Sequence, residues 1–85
     1  MYTLEISAEA IADLRGLDSA IRARVHKTLV QLQETCDDRP HKALHGRHRG
    51  KFCLRVAKHY RIIYTFNRQT RTISVSRIGH RSKIY

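Results

Sequence analysis

The sequence has no acidic side chain after Asp38, although its 85 residues include 17 lysines and arginines and carry a formal net charge of +10. Residues 1–38 hold four cations against seven acids, whereas residues 39–85 hold the other 13 cations and five of the six histidines. Solubility alone would not require the loss of every acid from more than half of a chain. This separation of charge predicts one strongly positive face that attracts polyanions.

The low number of cysteines, prolines and glycines and the lack of long apolar runs further limit the class of protein. The two cysteines, Cys36 and Cys53, lie in unlike contexts and do not form a disulfide framework, so a reducing, cytoplasmic location is expected. One proline, four glycines and 41% apolar residues favour a globular chain over a disordered one. No apolar run approaches the roughly 18–20 residues that span a membrane, and Glu5 interrupts any secretory-type start. We therefore expect one domain over residues 1–85 with no membrane partner.

The first half of the chain predicts a strand and two helices. "MYTLEIS" alternates apolar and polar residues, which is typical of a half-buried strand. Ser7 is a suitable N-cap for a first helix that ends near Gly16, and Asp18 or Ser19 can cap a second. The second helix carries an apolar stripe that should lie on a sheet, formed by Ile21, Val25, Leu29 and Leu32.

The second half predicts three strands after a polar loop, "HKALHGRHRG". "KFCLRVA" and "YRIIYTF" alternate with a period of two, "NRQT" is a hairpin turn, and "TISVSRI" is the third strand. The resulting order is β-α-α-β-β-β, an α+β fold with a helical hairpin on one face of a small, mainly antiparallel sheet. If the hairpin covers the face that holds Phe52, Leu54, Ile62 and Tyr64, then Cys53, Arg55 and Arg61 emerge together on the other face.

Two motifs suggest a phosphate-binding loop and a zinc site, but the spacing of their residues supports neither. "GRHRGK" has three residues between its glycines where a phosphate-binding loop has four, and Phe52 stands where a hydroxyl must reach magnesium. We interpret it as a basic loop that contacts a nucleic-acid backbone. A zinc site is not expected, because no paired C-x-x-C spacing occurs among Cys36, His41, His45, His48 and Cys53. We therefore predict neither a metal nor another cofactor.

The closing segment, "SRIGHRSKIY", is the most informative. We predict that the strand ends at Arg77–Ile78, that Gly79 allows a turn, and that His80, Arg81 and Tyr85 follow at the same end. Beside Arg55 and Arg61 these residues would form an RNA-cleaving set without a metal. Arginine binds phosphate through its forked guanidinium group and stabilises the charge that develops on it. Proton transfer requires the imidazole of His80 or the phenol of Tyr85.

Together, "YTLEISAEAIADLRGLDSAIRARVHKTLVQL", "ALHGRHRGKFCLRVAKHYRIIYTF" and "ISVSRIGHRSKIY" resemble the RelE/ParE toxin superfamily of bacterial and archaeal toxin–antitoxin systems. The most specific pieces are the L-x-G loop at residues 44–46, the R-V-x(3)-Y-R-I-I-Y hairpin and the terminal G-H-R-x(3)-Y. The resemblance implies a RelE-like, microbial ribonuclease-type fold. It also implies one of two activities: cleavage of messenger RNA in the ribosomal A site, as in RelE-type members, or inhibition of DNA gyrase, as in ParE-type members.

The terminal G-H-R and Tyr85 look like the RelE branch. On that resemblance Arg61 is a phosphate binder, Arg81 contacts the scissile phosphate and the leaving group, and Tyr85 stacks on a base or orients the 2′-hydroxyl. Arg55 falls at the second of two family lysines, and Cys53 replaces the first. The expected cations for messenger RNA and ribosomal RNA are Arg47, Arg49, Lys51, Lys58, Arg77 and Lys83.

The chain departs from its relatives in two further respects. It has no counterpart of the glutamate base of the related YoeB group, and we expect it to lack the C-terminal helix that some members carry. A gyrase inhibitor, or a basic nucleic-acid-binding domain that has lost catalysis, remains an alternative. In each toxin reading the expected protein partner is an acidic antitoxin with amphipathic helices.

Overall fold

The computed structural model describes residues 1–84 and shows a five-stranded sheet packed against a helical hairpin. In chain order the elements are β1 (Thr3–Ile6), α1 (Ala8–Arg15), α2 (Ser19–Thr35), β2 (Lys42–Ala43), a 3-10 helix (Gly46–His48), β3 (Phe52–Val56), β4 (Tyr60–Asn67), β5 (Thr72–His80) and α3 (Arg81–Ile84). The strand order is β1-β5-β4-β3-β2, with β1 parallel to β5 and the other neighbours antiparallel. The predicted α+β class and the mainly antiparallel sheet are confirmed.

Both helices of the hairpin begin where the sequence predicts. The Ser7 hydroxyl accepts a hydrogen bond from the backbone N–H of Ala10 at 3.0 Å, and the Asp18 carboxylate accepts one from Ile21 N–H at 2.9 Å. N-caps of this kind typically stabilise a helix by about 1 kcal/mol. Asp18 is thus the cap of α2, and Ser19 is its first helical residue.

The hairpin and the sheet enclose the main core. Val25, Leu29 and Leu32 of α2 are each at most 3% exposed, and Ile21 packs at the edge of the same cluster. Burial of one such side chain contributes roughly 1.5–3 kcal/mol. The sheet side of this core is formed by residues of the last three strands, whose alternation is interrupted by a register shift between β4 and β5: Val56, Ile62, Tyr64, Ile73, Val75 and Ile78.

The irregular segments differ from the sequence predictions. The predicted loop after α2 contains β2, which pairs with β3, and the 3-10 helix. The predicted turn at Gly79 is wrong, because β5 continues through Gly79 to His80 and the helical turn α3 follows it. Glycine serves here to leave room, since a Cβ atom at position 79 would lie 2.8 Å from Ile84 Cγ2.

The end of the sheet at the β4–β5 turn is closed by polar contacts. The turn itself is confirmed: the Asn67 side-chain oxygen accepts from the backbone N–H of Gln69 and Thr70. Tyr2 Oη donates to Asp37 Oδ1 at 2.6 Å, which joins the N terminus to the segment that follows α2. None of the helices in residues 1–84 is long and apolar enough to cross a membrane.

Candidate nucleic-acid interface

The sheet face opposite the helical hairpin carries Arg55 and Arg61 side by side. These residues are direct partners across β3 and β4, and the neighbouring pair, Leu54 and Ile62, faces the main core. Because successive side chains of a strand point to opposite faces, both arginines leave the sheet on the side away from the hairpin. We call this side, which also carries Lys51, the cationic face.

Among residues 1–84 no acid neutralises the two guanidinium groups of this pair. Arg61 Nη1 donates to the carbonyl oxygens of Tyr60 at 2.9 Å and Lys58 at 3.3 Å, which holds the side chain at the β3–β4 turn. Arg55 is exposed. Within residues 1–84 neither forms an ion pair, because the ion pairs there involve only Asp13 and Asp37 as acids. Their charge is therefore available to an external anion.

Arg81 emerges at the same end of the sheet. Gly79 on β5 is the direct partner of Arg61, and the backbone N–H of Arg81 donates to the His59 carbonyl oxygen at 2.8 Å. The Arg81 side chain is exposed at the start of α3. The structure thus brings three arginines, separated by as many as 26 positions in sequence, to adjacent strand ends.

The His80 ring lies on the hairpin side of this strand end. It meets the ring of Tyr60, which packs against the main core, at 5.4 Å, and it stacks on His59 at 5.6 Å. The backbone N–H of Ser82 donates to His80 Nδ1 at 3.2 Å, and Ser82 Oγ lies 2.8 Å from the same nitrogen. His80 therefore caps α3, and its ring does not leave the sheet on the face of Arg55 and Arg61. No pattern in the sequence indicated that His59 would stack on His80.

The predicted basic loop approaches α3. His48 Nε2 donates to the carbonyl oxygen of Ile84 at 3.0 Å, so the 3-10 helix that carries Arg47 is tethered to α3. Arg47 and Arg49 are exposed. Lys58 in the β3–β4 turn and Lys83 on α3 are exposed as well. These cations lie on elements next to the strand ends that carry Arg55, Arg61 and Arg81.

Arg77 differs from the other predicted cations because it has a partner inside the fold. Its Nε donates to Asp13 Oδ2 at 2.8 Å and its Nη2 to Oδ1 at 3.2 Å, while the backbone N–H of Ile78 also donates to Oδ2. Partial burial by itself would raise the pKa of the Asp13 carboxyl, but these hydrogen bonds outweigh it and hold the pKa below its ordinary value. Asp13 thus binds α1 to the part of β5 that extends beyond its pairing with β1.

Cys53 lies on the predicted face, but it is buried there instead of exposed. It is 7% exposed, and with Ile63 and Ile84 it forms a set of three buried apolar side chains outside the main core. Among residues 1–84 no three histidine, cysteine or carboxylate side chains form a group that could hold a metal ion. Tyr85, the predicted phenol of the site, lies outside the described residues.

The chain is similar to known proteins over most of its length. Residues 4–85 match the family model described as the ParE toxin of type II toxin–antitoxin system, parDE. The toxin–antitoxin complex RelBE2 from Mycobacterium tuberculosis contains a chain that is 28% identical, with a TM-score of 0.81 over 94% of this chain and 98% of that chain. A search of curated proteins finds no match.

Two further solved structures show the same fold at lower identity. The isolated E. coli RelE toxin is 21% identical, with a TM-score of 0.77 over 94% of this chain and 84% of that chain. YafQ from E. coli strain BL21(DE3) is 13% identical, with a TM-score of 0.81 over 100% and 99% of the two chains. The resemblance inferred from sequence is therefore confirmed: the chain belongs to the ParE toxin family of type II toxin–antitoxin systems, within the RelE/ParE superfamily.

Proposed function

We propose that this toxin is a ribosome-dependent, metal-independent messenger-RNA endonuclease that inhibits translation in the cytoplasm. The observation that supports this most directly is the pairing of Arg55 with Arg61 beside the strand end that carries Arg81. Forked guanidinium groups bind phosphate and stabilise the negative charge that grows on it during transfer. Three of them lie on adjacent strand ends, and no carboxylate of residues 1–84 pairs with them.

The proposed reaction uses a nucleophile that RNA itself supplies. The 2′-oxygen of one nucleotide attacks the adjacent phosphorus, and the bond from phosphorus to the 5′-oxygen of the next nucleotide breaks. The products are a 2′,3′-cyclic phosphate, which can open to a 3′-phosphate, and a 5′-hydroxyl. One proton leaves the 2′-hydroxyl and one reaches the departing oxygen. Because arginine stays protonated at neutral pH, we assign these transfers to Tyr85 and to His80, whose ring lies on the hairpin side and would have to reach the phosphate around the end of β5.

The surrounding cations are proposed to bind the RNA backbone and the ribosome. Phosphate contacts position a nucleic acid without reading its sequence, and each adds to the salt dependence of binding. The exposed members of this set are Arg47, Arg49, Lys58 and Lys83, with Lys51 half-buried beside them. Their loss should weaken binding to all messages alike.

Primer extension on a translated message with purified ribosomes tests the proposal. Wild-type protein should produce cuts inside codons, with 5′-hydroxyl ends. Arg81→Ala should abolish them, whereas Arg24→Ala, which removes an exposed arginine on α2 and thus the same charge, should leave them unchanged. Cuts of equal intensity with Arg81→Ala would contradict the assigned chemistry.

The match to the ParE family model favours one alternative, inhibition of DNA gyrase without nuclease activity. A supercoiling assay with purified gyrase separates the two functions. An RNA endonuclease leaves supercoiling untouched, while a gyrase inhibitor blocks it and leaves the message intact on the ribosome.

We further propose that a cognate antitoxin covers the cationic face. Solved relatives include RelBE2 and the intact E. coli RelBE, both toxin–antitoxin complexes. An acidic chain with amphipathic helices would neutralise the net charge of +10. Co-purification with the product of an adjacent acidic gene tests this. A complex that persists in high salt would show that apolar burial contributes to it as well as charge.

A further inference from the structure

A row of polar side chains crosses four neighbouring chain segments of the cationic face. Glu5 on β1 is the direct partner of Ser74 on β5, and Ser74 is the direct partner of Thr65 on β4. Lys51, which precedes β3, points to the same face as Arg55 because four positions separate them. These four residues line one cavity of about 290 Å³. We call them the Glu5–Lys51 row.

The row lies away from the arginine pair along the strands. Thr65 follows Arg61 by four residues, which corresponds to about 13 Å at the usual strand rise of roughly 3.3 Å per residue. A general base must come within about 2.6–3.2 Å of the proton it removes. The Glu5 carboxylate therefore does not take part in chemistry at a phosphate bound by Arg55 and Arg61, and the row needs a different explanation.

The side chains of the row are available to a ligand. Within residues 1–84 no hydrogen bond or ion pair engages the side chain of Glu5, Lys51, Thr65 or Ser74. Other hydroxyls of the same cavity are already used. Ser7 Oγ donates to the Ser76 carbonyl oxygen at 2.9 Å, and Ser76 Oγ donates to the Ile63 carbonyl oxygen at 3.1 Å. Among residues 1–84, the cavity thus has two hydroxyls engaged by hydrogen bonds and four polar side chains without a partner.

Glu5 is the unusual member, because it places a negative charge on a face that should attract phosphates. A carboxylate accepts hydrogen bonds only. It repels phosphate, but it can bind the amino and imino groups of a nucleobase. Guanine offers two adjacent donors, N1–H and N2–H₂, which match the two oxygens of one carboxylate. The other bases do not present two adjacent donors of this kind on that edge.

We propose that the Glu5–Lys51 row binds one guanine nucleotide of the message, at a fixed distance from the cleaved bond. Glu5 accepts from the base, Lys51 binds a phosphate, and the hydroxyls of Thr65 and Ser74 contact ribose or phosphate oxygens. A volume near the lower end of the roughly 300–1,000 Å³ of ligand sites suits one nucleotide rather than a whole codon. This inference rests on the proposed RNA-binding function and adds base selection to it.

The first test is the base preference of cleavage. Ribosomes translate a message in which all codons are equally frequent, and the 5′-hydroxyl ends are sequenced. Wild-type protein should prefer guanine at one position relative to the cut. Glu5→Gln should reduce that preference about 5-fold to 150-fold, the discrimination of one bidentate contact. It should shift the preference toward adenine, whose donor and acceptor match a side-chain amide.

Glu34→Gln is the matched control for this test. It removes the same charge from an exposed position on α2, far from the cavity. If it changes the base preference as much as Glu5→Gln does, the effect is one of net charge and the subsite is refuted. Unchanged preference with Glu5→Gln refutes it as well.

The second test needs neither ribosomes nor cleavage. Fluorescence anisotropy measures binding of the full chain to short labelled RNAs whose 2′-oxygens are methylated, so that no cut can occur. RNA with one guanine should bind at least about 5-fold tighter than the same RNA with inosine, which lacks the N2 amino group. Glu5→Gln should remove the difference. Lys51→Gln should weaken the binding of both RNAs equally. It should also reduce by about one the slope of the logarithm of the binding constant against the logarithm of the salt concentration.

The two tests fail in different ways. If wild-type protein cuts no message but distinguishes guanine from inosine, the nuclease proposal falls and the nucleotide subsite stands. If it cuts messages but binds guanine and inosine RNAs equally, the subsite falls and the nuclease proposal stands.

Discussion

Arg55 and Arg61 face each other directly across the antiparallel strands β3 and β4, and both guanidinium groups leave the sheet on the same side. Like charges in directly opposed positions of a sheet destabilise the folded state. Within the described chain no acid pairs with either residue. Repulsion is thus built into the strand end at which an RNA phosphate is proposed to bind, and a bound phosphate would relieve it.

Replacing one of the opposed arginines should therefore make the protein more stable and less active. Arg55→Gln should raise the free energy of unfolding by about 0.2–1 kcal/mol at low salt, and the gain should shrink as salt screens the repulsion. Denaturant titrations at several salt concentrations measure it. Arg24→Gln on the outer surface of α2 is the control and should change stability by less than about 0.5 kcal/mol. Destabilisation by Arg55→Gln would contradict this account.

The absence of a side chain at position 79 should be essential for the placement of α3. Gly79→Ala introduces a Cβ atom that would lie 2.8 Å from Ile84 Cγ2, so Ile84 and the helical turn must move. Overpacking of this kind costs about 1–3 kcal/mol. Arg81, at the start of α3, should be displaced too. We expect lower thermal stability together with loss of RNA cleavage.

A double-mutant cycle isolates this contact. Ile84→Ala removes the Cγ2 atom and should be destabilising alone, because Ile84 is 5% exposed. Combined with Gly79→Ala, it should cost less than the sum of the single changes, by about 0.5 kcal/mol or more. Strict additivity would show that the collision is not the cause.

The sequence was sufficient for features that depend on local periodicity. The alternation in β3 and β4 predicts that Arg55 and Arg61 share a face, and the stripe of α2 predicts the core. Gly79 was misjudged because glycine usually marks a turn, whereas here it makes room for a residue five positions later. That role depends on how the chain folds back, and no local pattern records it.

The sequence also did not allow contacts between residues far apart in the chain to be predicted. Arg77 was predicted to bind RNA because no acid lies near it in sequence, yet its ion-pair partner, Asp13, lies 64 residues earlier. Likewise, Glu5 reaches the cationic face only through the parallel pairing of β1 with β5. β1 and β5 are the first and last strands, with two helices and three strands between them in sequence, so neither contact could be deduced from the neighbouring residues.

The hydrogen bond between Tyr2 and Asp37 should be visible in the pH dependence of stability. This bond, together with burial and the charge of Asp37, raises the pKa of the Tyr2 phenol from 10.0 to about 12, and with Arg71 it lowers the pKa of the Asp37 carboxyl. The raised pKa of the phenol stabilises the folded state fully below about pH 10, and this contribution is lost between about pH 10 and 12. The lowered pKa of the carboxyl stabilises the folded state above about pH 4, and this contribution is lost as the pH falls further.

Asp37→Asn tests this pair directly. Without the carboxylate, the phenol of Tyr2 should titrate closer to pH 10, and ultraviolet titration should show one tyrosinate forming earlier than in the wild type. Tyr64, whose pKa burial raises to about 12, should still titrate late. Asp38→Asn changes the neighbouring exposed acid and is the control. Superimposable titration curves for Asp37→Asn and the wild type would show that the bond does not hold the phenolic proton.

His80 allows a capping role to be separated from a proton-transfer role. Asparagine is among the best N-cap residues, so the side-chain oxygen of His80→Asn should replace Nδ1 as the acceptor for Ser82 N–H and keep α3 in place. Because an amide cannot carry a proton, cleavage should fall by about 10²–10⁴-fold with unchanged thermal stability. His80→Ala should lose the cap as well, at a cost of about 1 kcal/mol.

The control for this comparison is His45→Asn, which removes an exposed imidazole outside the strand end and should leave cleavage unchanged. Thermal melts and primer extension on the same protein samples separate the two roles. Wild-type cleavage by His80→Asn would restrict His80 to capping α3, and the proton transfers would then have to be carried by Tyr85 alone. Loss of thermal stability in His80→Asn would instead show that the imidazole contacts with Tyr60 and His59, rather than the cap, hold this end of the sheet together.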